Sequence, residues 1–168
     1  MSATAPATRS RTLEWSDPVA TAAAGAKMAG LDYMRALVAG ELPAPPIAVV
    51  MNMGPIELEE GRVVFAGEPG EEHYNPIGVV HGGYAATVLD SALGCAVHTT
   101  LPVGMGYTSL GLEVKYLRPI THDTGRVLCE GIVTHRGRRQ ATAEARLTAE
   151  DSGKLLATGT STLMIFGA

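Results

Sequence analysis

The sequence of 168 residues has few cysteines, few aromatic residues and no excess of basic residues. Its two cysteines, Cys95 and Cys129, lie in apolar segments without the CxxC or Cys/His spacing of a metal site. This argues against a disulfide framework and predicts buried, reduced thiols and no metal ion. The 13 Lys and Arg residues are outnumbered by 17 Asp and Glu residues. We therefore expect no nucleic-acid partner, because such a partner requires cationic side chains to neutralise its phosphates.

Long hydrophobic runs are also missing. No uncharged apolar run approaches the roughly 18 to 20 residues that a transmembrane helix needs, because the acidic residues Glu41, Glu57, Asp90 and Glu113 interrupt the most apolar stretches. The N-terminal stretch lacks the apolar core of a secretory signal peptide. We expect no membrane partner and a cytoplasmic location.

The apolar residues that are present, 46% of the chain, are enough for the core of one domain. Residues 1–18 are rich in Ser, Thr, Ala and Pro and show no periodicity, which predicts a flexible N-terminal tail. Residues 19–168 are predicted to form a single domain. Helical spacing of apolar residues predicts an N-terminal helix from Val19 to Gly40.

After Gly40 the apolar residues no longer have helical spacing. Short β-rich runs separated by a Glu-Glu-Gly turn predict a hairpin with strands at about 47–58 and 62–68. After a polar loop, the stretch from Val79 to Thr100 has helical spacing and is apolar nearly all round. A helix with so little polar surface is expected to be buried on most of its sides.

Four strands are predicted after Gly106. In the first, Leu110, Leu112, Val114 and Tyr116 alternate with polar or small residues, which predicts a half-buried strand. The other three are the segments RVLCEGIVTH, QATAEARLTA and KLLATGTSTLMIF, joined by short turns. In the middle segment alanines share one face, and such small side chains let a helix approach the sheet closely. The predicted fold class is α+β, with one curved antiparallel sheet around one long helix.

The densest cluster of functional residue types lies where the polar loop enters this helix, at His81-Gly82-Gly83. Glycines permit a ligand to approach the backbone, and the first N–H groups of a helix have no intrahelical acceptor. The helix dipole makes this end positive, so a developing oxyanion can bind there. The alternative is that the two glycines only allow the chain to turn tightly into the helix.

Asp90 is the second candidate, because a carboxylate within an apolar helix is costly to bury unless it is paired or functional. The alternative is a surface-facing Asp or one bonded to a neighbouring hydroxyl. Gly83 and Asp90 are roughly 10 Å apart along the helix axis, at about 1.5 Å per residue. One substrate carbonyl cannot touch both groups within a single chain. If both act on one carbonyl, the acid comes from a second subunit, which predicts a two-fold dimer.

The remaining candidates carry less information. The histidines outside the loop are predicted to be surface or loop residues, and they are His73, His98, His122 and His135. No GxSxG motif or Ser/His/Asp order is present, which argues against serine-based hydrolysis. The turn containing Arg136, Arg138 and Arg139 is interpreted either as a solubilising hairpin or as an anion clamp.

With these residues in place, the chain resembles the hot-dog acyl-CoA thioesterases, specifically the phenylacetate-pathway (PaaI-like) branch. The resemblance covers about residues 45–167 and rests on the motifs NPIGVVHGGYAATVLDSALG, TSLGLEVKYLRPI and GKLLATGTSTLMIF. It implies a six-stranded antiparallel sheet around a long helix, and a homodimer that associates further into a tetramer. The segment before residue 45 is outside the motifs, and its role is open.

The resemblance also implies roles for individual residues. Asn75 and His81 match positions that orient the thioester, and Gly82 matches the glycine whose N–H polarises its carbonyl. Asp90 of the facing subunit matches the catalytic carboxylate, as general base or as nucleophile through an anhydride. Ser109 matches a hydroxyl that orients water. The substrate-binding residues implied are Gly83, Thr108, Arg136, Arg138 and Arg139, with Thr108 replacing Ser109 if the register differs by one.

The predicted function is hydrolysis of an aryl- or fatty acyl-CoA thioester to the free acid and CoA. No cofactor is expected, because coenzyme A is part of the substrate. Two alternatives remain: a hot-dog enoyl-CoA hydratase or dehydratase, using His81 and Asp90, and a non-catalytic acyl-CoA binding module.

Overall fold

The computed structural model describes residues 7–167, so that residues 1–6 of the predicted tail, and Ala168, lie outside the described range. Residues 7–17 have no regular secondary structure. The described chain then forms α1 (Pro18–Gly25), α2 (Gly30–Val38), α3 (Pro46–Met51), β1 (Met53–Glu59), β2 (Arg62–Gly67), α4 (Gly82–His98), β3 (Met105–Tyr116), β4 (Val127–Arg136), β5 (Gln140–Ala149) and β6 (Leu155–Gly167). Short 3-10 turns lie at Glu71–His73 and His122–Thr124.

The six strands form one antiparallel sheet in the order β1-β2-β4-β5-β6-β3. This sheet wraps around α4, which contacts five of the strands. The side chains of Val88, Leu89, Ala92, Leu93 and Ala96 on α4 are completely buried. The predicted α+β hot-dog fold, with a curved sheet around a long helix, is confirmed.

Small residues set the distance between α4 and the sheet. A Cβ atom on Gly131 of β4 would lie 2.4 Å from the carbonyl oxygen of Ala92, so that only glycine fits there. On β5 the predicted small face is buried, with Ala141, Ala143 and Ala145 at most 2% exposed. The helix therefore packs closely on the middle of the sheet, because neither surface carries long side chains there.

The prediction of one helix from Val19 to Gly40 is wrong, since α1 and α2 are separate helices. Gly30, the first residue of α2, donates its N–H to Leu101 O at 2.9 Å. A Cβ on Gly30 would lie 1.7 Å from the carbonyl oxygen of His98. The helix is interrupted between residues 25 and 30 because α2 docks against the end of α4. Helical periodicity does not encode such a long-range contact.

The start of the predicted hairpin is also wrong. Residues 47–51 belong to the short helix α3, which has Pro46 as its first residue, a position that suits proline. Asn52 ends this helix in the left-handed conformation, with φ of 47°. The first strand therefore begins at Met53, whereas the second strand, Arg62–Gly67, lies where it was predicted.

Strand β3 occupies one edge of the sheet, and among the described residues only β6 pairs with it. Most of its predicted apolar face is not buried within the chain, because Leu110 is 54% exposed, Leu112 38% and Tyr116 56%. Only Val114 of that face is half-buried and packs against the core. A long unpaired edge with exposed apolar residues is a template for pairing with another chain.

Both cysteines are free thiols, and Cys129 is completely buried. Within the described residues, no helix combines the length and the apolar character needed to cross a bilayer.

Candidate active site

The start of α4 presents one free backbone donor. His81 is the N-cap residue, and its Nδ1 accepts a hydrogen bond from the N–H of Gly83 at 2.8 Å. The N–H of Gly82 donates to no acceptor among residues 7–167. Of the two glycines, Gly82 therefore offers its amide to a ligand, at the positive end of a helix of 17 residues.

The loop before α4 is held by its own hydrogen bonds. Asn75 Oδ1 accepts hydrogen bonds from the N–H groups of Ile77, at 3.1 Å, and Val79, at 3.3 Å. The backbone N–H of His81 donates to His73 O at 2.8 Å. The side-chain oxygen of Asn75 thus shapes the loop that carries His81 to the helix start.

Gly82 opens into a cavity of about 320 Å³, which we call the amide cavity. Tyr116, at the end of β3, donates its hydroxyl to Gly82 O at 3.1 Å. Arg118 also lines this cavity and donates to Leu155 O at 2.6 Å. Neither residue was assigned a functional role from the sequence, although both lie in the motif TSLGLEVKYLRPI, with Tyr116 as the last residue of the alternating strand.

Asp90 lies on the partly exposed side of α4, where it accepts a hydrogen bond from Ser109 Oγ to its Oδ1 at 3.0 Å. Thr108, the alternative residue in the sequence, is exposed and makes no such bond. The structure therefore brings together Asp90 and Ser109. An acceptor oxygen held by a hydroxyl has a defined orientation, which a catalytic carboxylate requires.

Asp90 lines a second cavity of about 290 Å³, which we call the acid pocket. Among residues 7–167 it is the only carboxyl group that lines this pocket, whose other side chains are mainly apolar or aromatic. Burial raises the pKa of the Cys95 thiol in this pocket to about 12, so that this sulfur stays protonated at neutral pH. Cys95 is therefore not a thiolate nucleophile.

The two candidate groups do not meet within one chain. Gly82 precedes Asp90 by eight residues, which is roughly 12 Å along the helix axis at about 1.5 Å per residue. Gly82 lines the amide cavity and Asp90 the acid pocket, two cavities that share no lining residue. One thioester carbonyl cannot contact both groups in a single subunit.

The arginine turn lies at the other end of α4. Arg136 donates its Nε–H to Thr100 Oγ1 at 3.2 Å, just beyond the C-terminus of this helix, and it also bonds to Gly137 O. Arg138 and Arg139 are exposed and line a separate open groove beside Met164. The chain therefore does not bring these arginines to its own amide cavity.

The remaining histidines have mixed outcomes. His122 and His135 are exposed, as predicted. The prediction is wrong for His98, which is the last residue of α4 and packs between Tyr33 and Tyr107, with ring centroids 5.3 Å and 5.6 Å away. Burial lowers the pKa of His98, so that its ring is neutral at neutral pH.

His81 has a geometry that does not suit a general base. Because its Nδ1 accepts the Gly83 N–H, a neutral His81 ring carries its proton on Nε2. Neither nitrogen is then free to take a proton from a substrate without loss of the helix cap. This argues against the hydratase alternative, which requires a histidine base.

The comparisons with known proteins agree with the fold. Residues 77–156, which contain α4, Ser109 and the arginine turn, match the family model described as the thioesterase superfamily. Acyl-coenzyme A thioesterase 13 of Homo sapiens is 30% identical over 107 residues, which are 64% of this chain and 75% of that protein.

Solved structures are also similar. A phenylacetic acid degradation-related protein from Ralstonia eutropha JMP134 has a TM-score of 0.72 and 28% identity, over 79% of this chain and 98% of that one. The structure of smu.793 from Streptococcus mutans, which is bound to acetyl CoA, has a TM-score of 0.63 and 26% identity, over 69% and 90% of the two chains.

The chain belongs to the thioesterase superfamily, with a hot-dog fold. It is a hydrolase that acts on thioester bonds. The predicted family and enzyme class are confirmed.

Proposed function

We propose that this enzyme hydrolyses acyl-CoA thioesters at an active site formed by two subunits. The observation that carries the proposal is the separation of the two candidate groups. The free Gly82 amide and the Asp90 carboxylate open into different cavities of one chain. The Gly82 carbonyl and the Asp90 carboxylate both accept hydrogen bonds from hydroxyl groups of the edge strand β3.

The two contacts lie toward opposite ends of β3. Ser109, bonded to Asp90, and Tyr116, bonded to Gly82, are seven residues apart, which is about 23 Å at 3.3 Å per residue. Antiparallel pairing of two β3 edges about a two-fold axis near Leu112 brings the Ser109 end of one strand toward Tyr116 of the partner subunit. It also covers the exposed Leu110 and Leu112. Each dimer then contains two equivalent composite sites.

The reaction follows from these groups. The carbonyl oxygen of the thioester accepts a hydrogen bond from the Gly82 N–H, and Asp90 from the other subunit takes a proton from water as the water oxygen attacks the carbonyl carbon. The tetrahedral intermediate collapses with cleavage of the C–S bond, and the CoA sulfur receives the proton from Asp90. Direct attack by Asp90, through an anhydride that water then hydrolyses, uses the same two groups.

The other candidate residues have supporting roles. Ser109 orients the Asp90 carboxylate and the attacking water, and Thr108 lies beside it on the strand. Asn75 and His81 hold the loop and the helix start. Because His81 occupies the Gly83 N–H, Gly83 contributes to the site through its small size and not as a donor.

Coenzyme A enters as part of the substrate, and no further cofactor takes part. An acyl-CoA substrate is supported by the relative named acyl-coenzyme A thioesterase 13 and by the structural neighbour bound to acetyl CoA. In an acidic protein, Arg136, Arg138 and Arg139 are a local cluster of cations suited to the CoA phosphates. We further propose that two dimers associate into a tetramer and that the enzyme is cytoplasmic.

A free-thiol release assay with a panel of aryl- and fatty acyl-CoA esters tests the reaction. The expected result is stoichiometric release of CoA and free acid, without change at the double bond of a crotonyl-type ester. Absence of thiol release from every acyl-CoA would contradict the proposal.

Mixing two inactive variants tests whether the site is shared. Asp90→Asn removes the acid and Gly82→Pro removes the amide, so that each homodimer lacks an intact site. In a mixed dimer, one site combines the intact Gly82 of one subunit with the intact Asp90 of the other. Random mixing is expected to restore about a quarter of wild-type activity, because half of the dimers are mixed and each has one intact site of two. A mixture of co-expressed variants that stays inactive would place both groups in one subunit.

The arginine turn gives a further prediction. Replacing the exposed Arg138 and Arg139 by Ala is expected to raise KM for CoA esters about three- to tenfold with little change in kcat, because exposed ion pairs with phosphates contribute modestly. The increase should shrink at high ionic strength. Arg146→Ala, an exposed arginine on β5, is the matched control. An unchanged KM in the double variant would leave the turn a solubilising hairpin.

A further inference from the structure

The acid pocket has a wall that lies outside the thioesterase superfamily match. Side chains of α2, of α3 and of the segment between them line the pocket, and they are Tyr33, Met34, Leu37, Pro45, Ile47 and Ala48. All of them precede residue 77, where the family match begins. The segment before residue 45, whose role the sequence leaves open, therefore supplies part of this wall through Tyr33, Met34 and Leu37.

We propose that α2 and α3 form the wall of the acyl-binding pocket, and that Leu37 and Ile47 determine which acyl groups the enzyme hydrolyses. This inference rests on the proposed function, because it takes the carbonyl carbon of the thioester to lie beside Asp90. The occupant is the acyl group of the substrate, since the acid pocket is continuous with the carboxylate that acts on that carbonyl.

The lining favours an uncharged acyl group. Met34, Leu37, Met53 and Phe65 present apolar surface, and within the described part of the chain Asp90 is the only carboxyl group that lines the pocket. A second carboxylate on the acyl group would lose its hydration beside the negative Asp90 and find no cation among the lining residues. Aliphatic and aromatic acyl groups are therefore the class that fits.

The volume limits the size of that group. At about 290 Å³ the acid pocket lies at the lower end of the roughly 300 to 1,000 Å³ that is typical of pockets for drug-sized ligands. A short or medium chain, or a single aromatic ring, fits such a cavity. A long fatty acyl chain exceeds this volume, so that its far end must extend out of the pocket or displace the α2–α3 wall.

The wall is anchored at several points, so the pocket is preformed. Gly30 fixes the start of α2 through its hydrogen bond to Leu101 O, at 2.9 Å. Arg11 donates from Nη2 to Val49 O in α3 at 3.0 Å, while its Nη1 forms an ion pair with Glu72 at 2.5 Å. A wall that is held on both helices can exclude acyl groups by size.

Leu37 and Ile47 are the informative positions. Met34 is 2% exposed and belongs to the core, so its replacement would disturb folding. Leu37 is half-buried and Ile47 is 49% exposed, so that changes in their volume alter the pocket without opening the core. Val50 lies on the same short helix as Ile47 and is also exposed, but it does not line the pocket.

Calorimetric titration with S-octyl-CoA and S-ethyl-CoA tests the inference, because these thioethers have no carbonyl and are not hydrolysed. Ile47→Trp is expected to lower the ratio of octyl to ethyl affinity at least tenfold, since each methylene kept from an apolar site costs about fourfold in affinity. Leu37→Ala should raise this ratio. Val50→Trp, the matched control, should leave it within about twofold, because the added ring lies outside the pocket.

Steady-state thiol release from an acyl-CoA series of increasing length is measured on the same proteins. The acyl length that is hydrolysed fastest is expected to become shorter in Ile47→Trp and longer in Leu37→Ala. If both variants still release thiol and the ratio of octyl to ethyl affinity stays at the wild-type value in each of them, α2 and α3 only shield the core. That result would overturn the inference. If no acyl-CoA is hydrolysed by the wild type while the thioether ratios respond, the proposed function fails and the binding pocket stands.

Discussion

Replacing Asp90 by Asn is expected to lower kcat for acyl-CoA hydrolysis by roughly 10² to 10⁴-fold, the range that general acid–base catalysis contributes. The amide cannot take a proton from water, and it is not a nucleophile, so the variant removes both possible roles of the carboxylate. Asn keeps the Oδ1 that accepts the Ser109 hydroxyl at 3.0 Å, and hence the packing at this point of α4.

The measurement is kcat and KM by thiol release, with the thermal unfolding midpoint of each protein as a check of folding. Asp151→Asn is the matched control, because this exposed carboxylate lies in the turn between β5 and β6 and lines neither cavity. We expect KM of Asp90→Asn to stay near that of the wild type. Full activity in a folded Asp90→Asn protein would remove Asp90 from the mechanism.

Replacing Gly82 by Pro is expected to lower kcat on the order of 10² to 10³-fold, as loss of one oxyanion donor does in other acyl-transfer sites. Gly82 is the first residue of α4, a position that accepts proline, and His81 already has the extended ψ of 138° that a residue before proline prefers. The substitution therefore deletes one N–H group while the helix keeps its start.

Gly82→Ala is the control that separates the missing donor from crowding. A Cβ at this position would lie 3.2 to 3.3 Å from the ring of Tyr116, a contact that both substitutions introduce. Ala retains the N–H, so we expect its kcat to exceed that of the Pro variant by about tenfold or more. Equal losses in the two variants would show that space beside Tyr116 matters and the amide does not.

Local patterns predicted most elements correctly, because the residues that a helix or strand buries on one face recur in the sequence at the period of that element. The apolar spacing between Val79 and Thr100 predicted α4, observed at Gly82–His98, and alternation predicted strands β4 to β6. The pattern failed where long-range contacts decide the structure. The break before Gly30 and the short helix α3 both depend on docking against other parts of the chain.

The candidate site was predicted in part. Asp90 was identified because an acid in an apolar helix is costly to bury, and Gly82 because the first amides of a helix lack acceptors. The sequence did not indicate Tyr116 or Arg118, since their importance lies in their position at the amide cavity. The resemblance favoured Ser109, with Thr108 as its replacement if the register differed by one. Neighbouring strand residues face opposite sides of the sheet, and only the register of β3 shows that Ser109 reaches Asp90.

By itself the sequence determined the buried helix α4, the strands that follow it, the fold class and the two chemically distinctive groups, because these follow from local periodicity and from the energetic cost of burying charge. Only the tertiary structure decided that Gly82 and not Gly83 has a free amide, that the arginine turn lies at the far end of α4, and that α2 and α3 close the acid pocket. These features arise from contacts between residues distant in the chain, which no local pattern records.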